Sequence, residues 1–139
     1  MTAGAAVSAR DAGLLLETDV RWLDEKGYKW SVTPDGAGGG YLVIKDYLLS
    51  AGRFDRDKTD LLLRITKGYN DSALDMWWVS PAVKLAGTNA YPPAADNFEQ
   101  HIGQTWQRFS RHLQSPWRAG IDDIPRYMIL VARELQGTP

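Results

Sequence analysis

The chain has 139 residues and no cysteine, which excludes disulfides, thiolate metal sites and any thiol nucleophile. It also lacks an apolar run near the ~20 residues that a membrane span needs. The opening MTAGAAVSAR has no signal-peptide pattern, so a cytoplasmic location is expected. An excess of one charge sign is absent too. A formal net charge of −1 gives no general attraction to nucleic acid or an anionic membrane, and such binding would need a local patch. Histidine is scarce: Asp96, Glu99 and His101 lie close in sequence, but no second histidine stands at a ligand spacing, so neither a metal nor a cofactor is expected.

What is present suits one globular domain over residues 1–139, with residues 1 to about 9 small, polar and expected to be frayed. The most unusual stretch is WQRFSRHLQSPW, from Trp106 to Trp117. Two indoles, two guanidiniums, two hydroxyls and an imidazole within a dozen positions exceed what a core or a solvated loop needs. Trp106, Arg108, Ser110, Arg111, His112 and Trp117, with Arg118, therefore suggest a surface built to be used. The plainer reading is a small core of indoles with arginines stacked over them.

Along the chain, Leu15, Leu16, Val20 and Leu23 recur at helical spacing from Ala12, and Lys26-Gly27 supplies a stop. Tyr28, Trp30 and Val32 alternate as a strand does. The turn at Pro34-Asp35-Gly36 and the following glycines is expected to be mobile, and Tyr41 to Leu49 is the returning strand. The glycine-rich tip is no phosphate loop, because neither a helix start nor Gly-Lys-Ser/Thr follows. A third strand is expected from about Asp60 to Thr66 and a fourth from Asp75 to Val79. Residues 86 to about 105 are rich in turn formers without a clear period, and Tyr91 and Phe98 are expected to anchor them. Ile121, Ile124, Met128, Val131 and Leu135 recur three and four apart, with Asp122, Asp123 and Pro125 suited to a helix start. The expectation is an α+β domain: a four-stranded antiparallel meander packed against an N-terminal and a C-terminal helix.

That order and several local motifs resemble the ubiquitin-conjugating enzyme (UBC-like) superfamily. LLLRI, KGYND and DMWWV resemble its third strand, tyrosine-containing turn and fourth strand, although the usual prolines of the turn are missing and Asn70 follows Tyr69. SPWRAGIDDI resembles the tryptophan segment and the start of the crossover helix. More narrowly, DEKGY, YPPAAD, WQRFSRH and PWRAGIDD resemble the prokaryotic branch called family E. The resemblance implies a pathway with a ubiquitin-like protein, an adenylating activating enzyme and often a metal-dependent isopeptidase as partners.

That superfamily conjugates through a cysteine thioester, and this chain has no cysteine. Counting back from Trp117, the nucleophile's place falls near Phe109 or Ser110. A serine hydroxyl attacks only when a positioned base removes its proton. His112 is the nearby candidate, with Asp122 or Asp123 as a possible orienting group. Ser110 and His112 share a face of an extended segment but not of a helix. Three readings follow: a cysteine-less adaptor in which Trp106, Arg108, Arg111, Trp117 and Arg118 form a partner surface; an acyl-transfer enzyme using Ser110 and His112, or a cysteine-to-serine variant that traps an oxyester; and an anion or nucleic-acid binder resting on Arg108, Arg111, His112 and Arg118.

Overall fold

A computed structural model describes residues 10–137, and the fraying expected of residues 1 to 9 lies outside them. The first helix, α1 (Glu17–Glu25), starts later than its apolar period suggests. Ala12 and Gly13 take positive φ values of 53° and 71°, which an α-helix cannot accommodate. The Asp19 carboxylate then accepts the Leu16 N–H at 3.0 Å and fixes the start. Gly27, with φ 75°, ends the helix as expected.

Strands β1 (Lys29–Pro34), β2 (Gly40–Leu48), β3 (Lys58–Ile65) and β4 (Trp77–Ser80) form the expected antiparallel meander. Asp60 pairs with Ser80 and Leu61 with Val79, so the third and fourth strands are direct neighbours. The β1–β2 turn is held more firmly than its glycines imply. Asp35 accepts the N–H groups of Ala37 at 2.7 Å and Gly39 at 3.1 Å, and Arg64 grips the same carboxylate at 2.9 Å. A Cβ on Gly39 would lie 2.4 Å from the Ile65 carbonyl oxygen, so this glycine serves close packing.

Among the described residues the sheet has six strands rather than four. A second hairpin, β5 (Asn97–His101) and β6 (Gln104–Phe109), adds to β4 and gives the order β1-β2-β3-β4-β6-β5. It begins inside the stretch expected to be irregular, residues 86 to about 105, and runs past its end. Ile102 and Gly103 make its two-residue turn with φ values of 47° and 75°, as the twist of a tight hairpin demands. The expected anchors Tyr91 and Phe98 meet edge to face at 5.7 Å.

The last helix, α2 (Ile124–Leu135), opens on Asp123, whose carboxylate accepts the Arg126 N–H at 3.0 Å, and carries a proline in its first turn. Ile124, Met128, Val131 and Leu135 are buried as their spacing predicts, together with Tyr127. Ile121 is 55 % exposed, because it sits in the turn before the helix instead of on its apolar stripe. These residues pack with Leu23 against Leu42, Ile44, Leu61, Leu63, Trp77, Val79 and Phe109 on one face of the sheet. The opposite face carries a smaller cluster of Val43, Leu62, Trp78 and Trp106. No helix among the described residues is long and apolar enough to cross a membrane.

Candidate functional site

Strand alternation decides where the unusual segment points its side chains. Trp106 and Arg108 face the small cluster, whereas Gln107 and Phe109 face the main core. Gln107 is buried but fully satisfied: its Oε1 accepts the Val83 N–H at 2.7 Å, and its Nε2 donates to the Val83 and Ala95 carbonyls at 3.0 and 2.8 Å. One amide therefore binds the connection after β4 to β6. Nothing in the sequence marks that role.

Trp106 departs from the expected surface role. It is 1 % exposed and packs on Val43, Leu62 and Trp78, and its Nε1 donates to the His101 carbonyl at 3.0 Å. An indole so covered supports the hairpin and offers a partner nothing in this conformation. Trp117 is half-buried. Its Nε1 donates to the Asn70 carbonyl at 2.8 Å and its ring lies 6.4 Å from that of Tyr69, which fastens residues 113–118 to the turn after β3.

The arginines do not form one patch. Arg108 reaches Glu99 at 2.6 Å on the helix-free face. Arg111 lies over the Phe109 ring and meets Glu134 of α2 at 2.6 Å on the other. Arg118 pairs with Asp122 at 2.7 Å and holds that carboxyl below its ordinary range. Each of the three already has a carboxylate, which works against a cluster of bare cations for anions or nucleic acid.

Glu99 is a hub that sequence reasoning missed. It accepts hydrogen bonds from Trp78 Nε1 at 2.9 Å, His101 at 3.0 Å and Arg108 at 2.6 Å. Desolvation works to raise its pKa, but the hydrogen bonds from His101, Trp78 and Arg108 outweigh it, so the carboxyl lies below its usual value.

Ser110 ends β6, its N–H bonded to the Ala94 carbonyl at 3.1 Å. Its Oγ accepts from Arg108 Nε, also at 3.1 Å. Among the described residues no hydrogen bond joins Ser110 to His112. The imidazole instead meets Asp75, Nδ1 to Oδ1 at 3.2 Å, with both side chains largely exposed. Asp122 and Asp123, expected as orienting groups, are occupied by Arg118 and by the start of α2. The local frame is otherwise well built, since Met76 N–H bonds the Arg111 carbonyl at 3.2 Å and the Tyr127 hydroxyl bonds the Met76 carbonyl at 2.7 Å.

A helix, an antiparallel meander, a tryptophan segment and a helix packed across the sheet are consistent with a UBC-like fold. The family model for prokaryotic E2 family E matches residues 15–138, and the chain belongs to that family. No curated protein and no solved structure matches it. The chain is thus a UBC-like component of a prokaryotic ubiquitin-like conjugation system, and it has no cysteine.

Proposed function

We propose that the chain is a noncatalytic adaptor in that system, binding a ubiquitin-like protein, its activating enzyme or a target. The observation that carries this reading is the state of Ser110, the one hydroxyl near the nucleophile's place. Its Oγ is engaged by the Arg108 guanidinium, which donates a hydrogen bond to it but cannot take its proton. The contact surface is formed by Trp117 and Arg118 beside α2, with Arg111 on the same side of the sheet, while Arg108 lies on the opposite face and outside it. The membership of the family supports partners from a conjugation pathway, among them an adenylating activating enzyme and a metal-dependent isopeptidase.

Isothermal calorimetry with a purified ubiquitin-like protein and activating enzyme of the same conjugation system tests the proposal. Micromolar, reversible binding to one of them, weakened by Arg118→Ala, is the expected result. Binding of neither at high micromolar concentration would sink the adaptor.

One observation favours acyl transfer as a second reading. The Asp75 carboxylate engages Nδ1 of His112 and leaves Nε2 as the other ring nitrogen, the arrangement an oriented base requires. It requires Ser110 to exchange Arg108 for His112, and Ser110→Ala would then abolish an adduct that the adaptor never forms.

A further inference from the structure

Beside the segment that follows His112, the outer side of α2 borders an open groove of about 600 Å³. Its floor is apolar, built from Leu113, Trp117, Leu130 and Ile129. Ile129 is 50 % exposed, an uncommon position for isoleucine on a helix whose other face is fully packed. Arg126, Ile129, Leu130 and Arg133 stand three, four and seven positions apart and so share one stripe of α2.

The rim is basic. Arg118, Arg126 and Arg133 line the groove against the single carboxylate of Asp122, which Arg118 already holds. The side chains of Arg126 and Arg133 make no hydrogen bond or ion pair among the described residues. In a chain of net charge −1, this face therefore carries a local surplus of two positive charges around an apolar centre.

We propose that this groove binds an acidic segment of a partner protein carrying an aliphatic or aromatic anchor. The anchor lies on Trp117 and Ile129, and flanking carboxylates reach Arg126 and Arg133. Seven helical residues rise about 10 Å, so the two long guanidinium arms suit carboxylates about four residues apart on an extended chain, with the anchor midway on the same face. Arg is well matched to this task because its planar fork takes a carboxylate through two hydrogen bonds. Trp117 and Arg118 also belong to the surface of the adaptor reading, but the inference rests on the groove's own charge and shape.

Fluorescence anisotropy with labelled twelve-residue peptides tests it without any pathway component. The full chain is titrated into three probes: repeats of Asp-Ser-Leu-Ser, which put aspartate and leucine on one face of an extended chain, repeats of Lys-Ser-Leu-Ser, and repeats of Asp-Ser-Ser-Ser. Binding of the aspartate–leucine peptide alone is expected. Arg126→Glu with Arg133→Glu should weaken it at least tenfold, and Ile129→Ser should weaken it severalfold. Lys84→Glu, on a distant loop, should leave it unchanged, and circular dichroism verifies that each variant is folded. No binding of the aspartate–leucine peptide, equal binding of the lysine or the serine peptide, or binding insensitive to the double charge reversal would each overturn the proposal. A single-stranded oligonucleotide that binds more tightly than the aspartate–leucine peptide would overturn it as well, because the groove would then be a polyanion site.

Discussion

Tyr69 and Asp19, fifty positions apart in the chain, meet through a 2.8 Å hydrogen bond that joins the turn after β3 to the first turn of α1. The same phenol oxygen accepts the Ile124 N–H at 2.8 Å, and Asp19 also takes the N–H groups of Leu16 and Ile124. One carboxylate and one phenol thus tie α1 to the start of α2, the helix that borders both the site and the groove.

Removing the carboxylate strands the Tyr69 hydroxyl and the Leu16 N–H, while the Ile124 N–H keeps the phenol oxygen. Asp19→Ala is expected to destabilise the fold by about 3 kcal/mol, and Tyr69→Phe by about 1–2 kcal/mol. The double variant should lose less than the sum, since the two groups serve one network. Urea denaturation of the four proteins measures this.

Burial raises the pKa of Asp19, opposed by hydrogen bonds from Tyr69, Leu16 and Ile124. A folded pKa above the unfolded value means that the native state holds this proton more tightly. The associated stability is fully present below the unfolded value of about 3.9 and is lost as pH rises through the raised folded value. The stability of wild type relative to Asp19→Asn should therefore fall as pH is raised from about 3 to 7. A difference that grows across that range would contradict the assignment.

Trp106 and Arg118 should separate stability from binding. Trp106→Ala opens a cavity under the hairpin and is expected to cost about 3–5 kcal/mol in thermal or urea unfolding. Arg118→Ala acts on an exposed pair and should leave stability nearly unchanged while weakening the partner complex. Equal effects of the two substitutions on unfolding would show that Trp106 is not the buried support described here.

Gly39→Ala forces its new methyl toward the Ile65 carbonyl oxygen, 2.4 Å from the ideal Cβ position. Backbone must shift to relieve this, at an expected cost of about 2 kcal/mol. Gly36→Ala meets no neighbour within 4 Å and should cost less, through its φ of 79° alone. Comparing their urea midpoints tests whether the β1–β2 turn is packed.

The meander and α2 were legible because period and punctuation agree there. Leu61, Leu63 and Ile65 alternate, and Asp123, Pro125 and the Ile124-to-Leu135 stripe mark one helix start and one face. The β5–β6 hairpin was hidden because β5 is an edge strand, with Asn97, Glu99 and Gln100 where alternating apolar residues would announce it. Ile102-Gly103 was the usable signal. The site was legible as a segment but not as a geometry. Trp106 and Arg108 share a face whose cover depends on Val43, Leu62 and Trp78, more than twenty positions upstream, and no local pattern reveals that His112 will meet Asp75 instead of Ser110.

Intact-mass spectrometry tests the central claim most directly. The chain is incubated with its ubiquitin-like protein, the activating enzyme and ATP, then denatured before measurement. The account predicts the unmodified mass, together with a reversible complex seen under native conditions. An added mass equal to the ubiquitin-like protein less one water, absent from Ser110→Ala or His112→Ala, would contradict it, because only a working nucleophile displaces AMP from the adenylate to form an ester that survives denaturation.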